Sequence, residues 1–416
     1  MSKSNLENQE IRLRILHDFL YEAMNFPELA SNYTTFIRSL RERIHTVGVN
    51  DYRVAELGNG LKFKVNIGDR LGCDIYYGFY QEYFDSQLLF NLLHPGSVFL
   101  DIGANFGYWA VNIAKLTNGI VHAFEPDGTA YGLLEENIIR NGLQAIVASH
   151  QVAVGAENGE TDFYVCQESS FSSMSDTGRA ELKEKVRIPV SSLDTILPQW
   201  GLSQIDGMKI DVEGHEFAVL QGGMETIKNS PSLIIMLEVS AKNLNEVKKE
   251  ALTNALNNVY QLGFRGWVVD ADALRLISTP DDAANLASAN LFIVKANSER
   301  EQKMHKKYQE LQKTAFQGIA QEIGLSTEVL SKRNLADPYG YYQLYGALVN
   351  RLIRERDATI YELQKKIANL KQQELPKRDE RIVKLQQEVE ELRKELNMPI
   401  GKKIARKIKR NIQINQ

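Results

Sequence analysis

An alternation of short apolar strands with longer helices constrains this chain more than any other feature, and it runs from Ser97 to Ala296. Such an alternation is typical of βαβ units, in which helices cover both faces of a parallel sheet. We place seven strands in this segment, at residues 97–101, 120–125, 146–154, 206–212, 233–239, 264–270 and 291–296. The sequence therefore predicts an α/β fold with a Rossmann-like, seven-stranded and mostly parallel sheet.

Shifts in composition divide the 416 residues into four regions. Apolar residues at helical spacing between Leu6 and Val47 predict an N-terminal helical cap over residues 1–50. A glycine-interrupted hairpin region and a helix from about Gln81 to Leu93 come next, so that a central domain spans residues 51–296 with its core at 97–296. A helical region at 297–398 and a basic tail at 399–416 complete the predicted organisation.

Two short heptad segments in the helical region predict a C-terminal coiled coil through which the chain forms homo-oligomers. Apolar residues keep a seven-residue register from Ile353 to Leu370 and again from Ile382 to Leu396, and Pro376 separates the two segments. Because each segment has only about two to three heptads, a helical hairpin that packs on its own domain is the alternative.

The tail carries a basic amphipathic pattern. Isoleucine recurs every four residues from Ile400 to Ile412, with six Lys or Arg residues and no acid between them. A cationic helix of this kind suits an anionic membrane surface, and nucleic-acid binding or a solvated tail are the alternatives. The net charge of −4 argues against nucleic acid as a partner of the whole chain.

The sequence shows no pattern of export or membrane insertion. The N-terminus lacks the apolar region of a signal peptide, and nowhere do 18 apolar residues run together. Cys73 and Cys166 lie 93 residues apart without His or Cys at zinc-finger spacing, which predicts neither a disulfide framework nor a structural zinc site. We expect a cytoplasmic protein that touches the inner face of the membrane only if its tail binds lipid.

The first core strand runs into the loop Asp101–Gly107 and then into a helix, an arrangement that holds a nucleotide-containing cofactor against backbone amides. Asp101 at the strand end would repel the pyrophosphate of a dinucleotide, whereas it would attract the ammonium and sulfonium groups of S-adenosylmethionine. Asn105 also stands where the dinucleotide fingerprint requires its second glycine. The pattern therefore favours S-adenosylmethionine as the cofactor.

Glu125 ends the second core strand, 24 residues after Asp101. A carboxylate at this point of such a fold accepts hydrogen bonds from the ribose hydroxyls of the cofactor. The alternative is an exposed acid that caps the helix beginning near Thr129. The strand end, the spacing and the preceding loop together favour the ribose role.

Titratable residues cluster where the fourth and fifth core strands end. Asp211, Glu213 and His215 follow the fourth strand, and Glu238 lies at the end of the fifth. Neighbouring carboxylates separate their pKa values, which suits one of them to remove a proton from an acceptor hydroxyl. As an alternative, Glu213 and Glu216 lie in the first turn of the following helix, where acids interact favourably with the helix dipole. The four clustered side chains also suit Mg²⁺ or Mn²⁺ as ligands, although we predict no metal.

Five sequence blocks, at residues 98–116, 121–143, 152–165, 190–197 and 205–227, occur in an order that resembles the FkbM-type family of S-adenosylmethionine-dependent methyltransferases. The resemblance covers about residues 57–296 and implies a class I methyltransferase fold. It also implies O-methylation of hydroxyls on sugars, polysaccharides or polyketide-like metabolites.

The resemblance further implies roles for individual residues. The family's cofactor loop matches Asp101, Gly103, Asn105 and Gly107, and its ribose acid matches Glu125. Ala153 falls in the segment that passes along the adenine, and Glu82 matches a glutamate that precedes the core. Asn137 and Asn141 match a pair of asparagines at a helix end.

These observations predict an O-methyltransferase that acts on a hydroxyl of a sugar, polysaccharide or glycolipid. Asp101 is expected to hold the methionine ammonium, and Asp211 with Glu213 or Glu238 to handle the acceptor proton, with His215 as a further candidate base. Two alternatives stay open: N- or O-methylation of a small metabolite, and a non-catalytic cofactor-binding scaffold assembled through the helical tail.

Overall fold

The computed structural model describes residues 50–57, 59–77, 83–167, 169, 172–175, 181–269 and 273–323, together with Gln387. The predicted cap helices, the basic tail, Glu82 and, apart from Gln387, both heptad segments lie outside the described residues. Among the helices of the described part, none is both long and apolar enough to cross a membrane.

The first half of the described chain contains β1 (Tyr52–Glu56), β2 (Lys62–Asn66), α1 (Arg70–Tyr77), α2 (Tyr83–Leu92), β3 (Val98–Ile102), α3 (Tyr108–Thr117), β4 (Ile120–Phe124), α4 (Gly128–Arg140), β5 (Val147–His150), β6 (Ala153–Val154), β7 (Gly159–Cys166) and β8 (Leu182–Ser191). The second half contains α5 (Leu193–Gln199), β9 (Gly207–Ile210), α6 (Glu216–Gln221), α7 (Met224–Asn229), β10 (Ile234–Val239), a 3₁₀ turn (Ala241–Asn243), α8 (Glu246–Gln261), β11 (Phe264–Val269), β12 (Leu274–Ile277), α9 (Pro280–Ala284), β13 (Ala289–Lys295) and α10 (Glu299–Ile323).

The largest sheet formed by the described residues has eight strands in the order β12, β11, β13, β10, β9, β3, β4, β5. The pairs from β10 to β5 are parallel, and β13 runs antiparallel between β10 and β11. This arrangement confirms the predicted α/β fold with a mostly parallel sheet. The predicted count of seven strands misses β12, because its four residues Leu274–Ile277 are largely exposed and too few to show a strand pattern.

The strand predicted at residues 146–154 divides into two strands that belong to different sheets. Val147–His150 joins the main sheet as β5, whereas Ala153–Val154 pairs with β8 as β6. The β7–β8 hairpin completes this three-stranded sheet and was not predicted. Since β8 is exposed at most of its positions, it lacks the apolar run by which a strand is recognised.

Both faces of the main sheet are buried. Phe99 and Val121 face an apolar layer with α2 and α3, while Leu100 and Ile102 face a second layer with α5, α6 and α8. Strands buried on both faces are apolar throughout, which explains why the sequence shows continuous apolar runs there. Polar side chains are consequently found at the strand ends, where the chain leaves the sheet.

Two asparagines of α4 hold the β1–β2 hairpin against the domain. Asn137 accepts a hydrogen bond from the backbone N–H of Lys64 at 2.6 Å and donates to its carbonyl oxygen at 3.1 Å. Asn141 makes the same pair of bonds with Lys62, at 2.9 and 2.8 Å. The side-chain amides thus form hydrogen bonds with the backbone N–H and C=O groups at the edge of β2, as a neighbouring strand would. The asparagines matched by the family resemblance have a docking role here.

Candidate active site

A cleft of about 250 Å³ opens at the carboxyl ends of the central strands. It lies where the strand order reverses between β3 and β9, the point at which doubly wound sheets bind ligands. Seven predicted site residues line it: Gly103, Asn105, Glu125, Ala153, Asp211, Glu213 and Glu238. The cleft therefore joins the predicted cofactor residues to three of the predicted catalytic acids.

Asp101 is the last residue but one of β3 and is not among the residues that line the cleft. Its side chain is fully buried, and its Oδ2 accepts a hydrogen bond from the backbone N–H of Ala110 at 2.9 Å. No donor among the described residues reaches its Oδ1. Burial raises the pKa of Asp101 to about 6, and the charge of Lys209 opposes this rise. An unsatisfied buried acceptor at this point fits a cationic ligand group held directly or through water.

The glycine loop needs backbone conformations that most residues avoid. Gly103, Asn105 and Gly107 have φ angles of +79°, +50° and +88°. A Cβ atom at position 103 would overlap the carbonyl oxygen of Asp211, and one at position 107 would stand 2.6 Å from Leu134 Cδ1. Glycine at position 103 thus permits the glycine loop to lie directly against the segment that carries the predicted catalytic acids.

Glu125 is buried at the edge of the cleft, with 6% of its surface exposed. Its two carboxylate oxygens accept hydrogen bonds from the backbone N–H groups of Asn105 and Asp127, each at 2.8 Å. Each oxygen therefore keeps acceptor capacity for a ribose hydroxyl. Burial raises the pKa of Glu125 to about 8. The alternative of an exposed helix cap is wrong, because Asp127 caps α4 through the N–H groups of Thr129 and Ala130.

The wall next to Glu125 is apolar. The chain steps from β5 to β6 after His150, and this step brings Ala153 and Val154 to the cleft beside Phe124 and Phe163. Apolar surface of this kind suits the face of a purine base. Ala153 thus lies on an apolar part of the cleft wall, and its role beside the adenine stays a prediction.

A serine residue ties three cleft-forming segments together. Ser169 donates through its backbone N–H and its hydroxyl to Asp69, at 3.0 and 2.7 Å, and its hydroxyl accepts from the side-chain amide of Asn105 at 3.3 Å. Further along the segment, Ser172 donates to the carboxylate of Asp127 at 3.1 Å. The loop between β7 and β8 is thereby joined to the start of α1, to the glycine loop and to α4.

Three carboxylates converge at the cleft. Asp211, Glu213 and Glu238 each place one oxygen so that the three oxygens lie within 4.8 Å of one another. Lys209, itself 3% exposed, donates to Asp211 at 2.8 Å, and Asn243 donates to Glu213 at 2.7 Å. The two acids from the end of β9 are thus oriented by different partners.

His215 does not join the three acids. It occupies the position before α6, is not among the residues that line the cleft, and its ring lies 5.9 Å from that of Phe217. Its Nδ1 is buried and has no hydrogen-bond partner within the described chain. Burial, with a contribution from Lys248, lowers the pKa of His215 to about 4. The structure therefore offers no geometric support for His215 as the base.

Sequence reasoning missed several residues that shape the cleft. Arg70, Leu71 and Asp74 line it from α1, a helix that was not predicted. Asp69 is a local signal for that helix, because its side chain accepts from the backbone N–H of Leu71 as an N-cap residue does. Asn243 has no comparable signal, since only the fold brings it to Glu213.

The cleft fits S-adenosylmethionine in its chemistry. A glycine loop, a carboxylate with spare lone pairs and an apolar wall line it, and the buried Asp101, which has an unsatisfied acceptor, precedes the glycine loop in the chain. The three carboxylates that converge at the same cleft are suited to attract a cationic donor and to accept a proton. Such an arrangement can bring an acceptor hydroxyl and a methyl donor together.

Part of the chain matches a known family of methyltransferases. Residues 101–266 match the family described as "Methyltransferase FkbM domain". The match confirms the family inferred from the five sequence blocks, and with it S-adenosylmethionine as the methyl donor.

Two curated relatives are methyltransferases. The hexuronic acid methyltransferase AglP of Haloferax volcanii is 25% identical over 167 residues, which are 40% of this chain and 66% of AglP. The 2-O-methyltransferase NoeI of Sinorhizobium fredii is 29% identical over 175 residues, which are 38% of this chain and 70% of NoeI. The chain thus spans about two thirds of the length of each relative.

Solved structures are similar only at a distance. The structure of M. jannaschii TYW2 in complex with AdoMet is 17% identical, covers 59% of this chain and 85% of its own, and has a TM-score of 0.29. A likeness this loose adds nothing to the argument.

Proposed function

Residues 101–266 form an FkbM methyltransferase domain that uses S-adenosylmethionine, and from this premise we propose that the chain transfers the methyl group to a hydroxyl of a sugar, polysaccharide or glycolipid. The observation that carries the proposal is the convergence of Asp211, Glu213 and Glu238 within 4.8 Å at the cleft that the predicted cofactor residues also line. A hydroxyl is a very weak acid, so its methylation benefits from a carboxylate placed to take its proton. The names of AglP and NoeI, which both specify sugar chemistry or a hydroxyl position, support the same class of acceptor.

One set of residues is assigned to cofactor binding and another to removal of the acceptor proton. S-adenosylmethionine supplies an electrophilic methyl group on a sulfonium. Glu125 would hold the ribose, the backbone of the glycine loop would hold the methionine part, and Asp101 would balance the ammonium charge from within the domain. Asp211, together with Glu213 or Glu238, accepts the proton of the acceptor hydroxyl as the oxygen attacks.

Lys209 orients Asp211 within this cluster. Its ammonium lies 2.8 Å from Asp211 Oδ2 and is 3% exposed, while the side chain of Asp211 keeps 27% of its surface exposed at the cleft. Held in this way, the carboxylate of Asp211 can attract the sulfonium and, together with Glu213 or Glu238, take the proton of the acceptor. Positioned general bases contribute roughly 10²- to 10⁴-fold to such reactions.

The experiment uses ¹³C-methyl S-adenosylmethionine and a panel of acceptors in two classes. The sugar class contains methyl glucuronoside, methyl glucoside and chitooligosaccharides, and the other class contains catechols, amines and small carboxylic acids. We expect label on a sugar oxygen, detected by its NMR chemical shift, and none when Asp211→Asn replaces the wild type. Label on an amine or a small metabolite instead would contradict the proposal.

Two controls separate the remaining alternatives. Isothermal titration with S-adenosylmethionine, S-adenosylhomocysteine and NAD⁺ measures binding without turnover, so tight binding of the sulfur ligands with no transfer to any acceptor supports the scaffold alternative. Three carboxylate ligands also suit Mg²⁺, so the reaction is repeated in EDTA and in added MgCl₂. Unchanged transfer in EDTA is the result expected if the acids act as base and electrostatic partners.

A further inference from the structure

The loop that follows β9 carries two of the three acids in an unusual backbone conformation. Glu213 and Gly214 both have left-handed φ angles, +54° and +96°. A Cβ atom at Gly214 would stand 2.8 Å from the carbonyl oxygen of Asn243. Non-glycine residues seldom adopt a left-handed backbone, so the surrounding structure must hold this loop in place.

The side chain that holds it is Glu216, the first residue of α6. Its Oε1 accepts hydrogen bonds from the backbone N–H groups of Gly214 at 2.9 Å and of Val212 at 3.4 Å. The residue is 4% exposed and is not among the residues that line the cleft. Glu216 thus faces the inner side of the loop, while Glu213 faces the cleft.

A favourable interaction with the dipole of α6 does not account for Glu216. The helix has only six residues, so its dipole is small, and the carboxylate bonds backward to the loop. Two charged groups reach it: Lys248 from α8 attracts it, and Asp211 repels it. Burying a carboxylate beside a like charge is costly, and the bonds to the loop give a reason for its presence.

We propose that Glu216 is a positioning residue for methyl transfer, because its buried carboxylate holds the backbone that carries Asp211 and Glu213 and so fixes the spacing of the three cleft acids. The inference rests on the proposed function, because it assumes that the three acids take part in methyl transfer. It assigns Glu216 no contact with cofactor or acceptor. Lys209 and Asn243 orient the two side chains, whereas Glu216 holds the backbone between them.

Three substitutions test the length and the charge of this side chain separately. Glu216→Gln keeps an acceptor oxygen at the same reach, Glu216→Asp keeps the charge but is too short to reach the loop, and Glu216→Ala removes both. Glu246→Ala is the matched control, because Glu246 also lies in the first turn of a helix, α8, but its side chain is 91% exposed.

Two measurements are made on the full chain. Hydrogen–deuterium exchange of the peptide containing Val212–Gly214 reports whether the loop is held, and needs no acceptor. The kcat, the KM and the dissociation constant of S-adenosylmethionine, measured with the sugar acceptor that the ¹³C panel gives, report whether positioning matters.

We expect Glu216→Asp and Glu216→Ala to speed exchange in this peptide and to lower kcat by about 10- to 100-fold, the scale of a misplacement near 1 Å. The KM and the cofactor dissociation constant should change by less than about threefold. Glu216→Gln should restore kcat to within about fivefold of wild type, and Glu246→Ala should match wild type throughout. Should the alanine variant not fold, the aspartate and glutamine variants decide the question by themselves.

The outcomes separate the two proposals. Wild-type exchange and wild-type kcat in Glu216→Asp overturn the inference and leave the proposed function standing. Parallel losses of cofactor binding and kcat in all three variants also overturn it, because a general structural role would produce them. A wild-type chain that methylates no sugar overturns the proposed function and the role in methyl transfer with it, while the exchange result still shows whether Glu216 holds the loop.

Discussion

The two sides of the cleft are built in different ways. On the cofactor side, Asp101 and Glu125 are buried and take their hydrogen bonds from backbone N–H groups close to the same loop. On the acid side, Asp211 keeps 27% of its side chain exposed and is oriented by the side chain of Lys209, while Glu213 is oriented by that of Asn243. A rigid, locally bonded side suits a constant cofactor, and a side held by separate side chains suits an acceptor that must be bound, deprotonated and released.

The largest effect is expected from Gly103→Ala, which acts on both sides at once. The added Cβ would overlap the carbonyl oxygen of Asp211 at a backbone with φ of +79°. We expect a loss of at least about 2 kcal/mol in the free energy of unfolding and no measurable cofactor binding by calorimetry. Gly132→Ala is the control: no atom lies within 4 Å of its Cβ position in α4, and it should raise stability by up to about 1 kcal/mol. Wild-type cofactor affinity in Gly103→Ala would show that the two sides are not in contact as described.

Asp211→Asn tests whether a change on the acid side lowers turnover while cofactor binding on the other side is kept. Removing the charge should lower kcat by about 10²- to 10⁴-fold and leave the dissociation constant of S-adenosylmethionine within a few-fold of wild type. Asp162→Asn is the matched control, since Asp162 pairs with Lys185 at 2.7 Å on the exposed face of the β7–β8 hairpin. Equal loss of binding and turnover in Asp211→Asn would make Asp211 part of the cofactor side.

Glu125→Gln tests the cofactor side through its pH dependence. Burial raises the pKa of Glu125 from its usual 4.5 to about 8, so the folded state holds this proton more tightly than the unfolded state. The resulting stability is present below about pH 4.5 and is lost as the pH rises through 8, on the order of 5 kcal/mol in all. Urea unfolding at pH 5 and pH 8.5 should therefore show a smaller decrease for Glu125→Gln than for wild type.

A carboxylate with the opposite shift provides the control for that measurement. Lys64 and Arg140 lower the pKa of Glu136, so this group favours the folded state above its usual pKa and loses that contribution as the pH falls. Glu136→Gln should leave the decrease between pH 5 and pH 8.5 unchanged. An identical pH dependence in wild type and Glu125→Gln would mean that Glu125 is not buried as the structure has it.

The smallest effect is expected from Asn243→Ala, which removes one side-chain partner on the acid side. The amide donates to Glu213 at 2.7 Å, and without it Glu213 samples other rotamers. We expect a decrease in kcat of about three- to tenfold with unchanged calorimetric binding of S-adenosylmethionine. Asn285→Ala serves as the control, because Asn285 is exposed and bonds only within its own turn at α9. A kcat equal to wild type in Asn243→Ala would remove Glu213 from the catalytic group.

Local sequence was sufficient to predict the strand-end residues that form the cleft. The loop Asp101–Gly107 and the acid Glu125 are strand-end features, and a parallel sheet brings strand ends to one edge whatever the details of the helices. For this reason the cofactor side, and the meeting of Asp211 with Glu238, could be predicted. The polar β7–β8 hairpin, the helix α1 and the eighth strand could not, because exposed or very short elements carry no apolar period.

His215 and Glu216 show where sequence reasoning reaches its limit. The two residues adjoin Glu213 in the sequence, and His215 has the more suitable ordinary pKa for a base. In the structure His215 lies away from the cleft with a pKa near 4, while Glu216 turns inward and bonds the loop. The directions in which these two side chains point, and their burial, depend on the packing of α6 against α8. These features, which the sequence does not record, distinguish the roles of the two residues.

The sequence by itself determined the fold class and the family, and it predicted which strand-end residues line the cofactor side, since these depend on apolar periodicity and on residues bonded to near neighbours. Only the tertiary structure decided which acids face one another, which side chains orient them and which polar residues serve docking instead, as Asn137 does for the β1–β2 hairpin. The physical reason is distance along the chain: contacts such as that of Asn243 with Glu213 join segments about thirty residues apart, and no local pattern records which segments the fold will bring together.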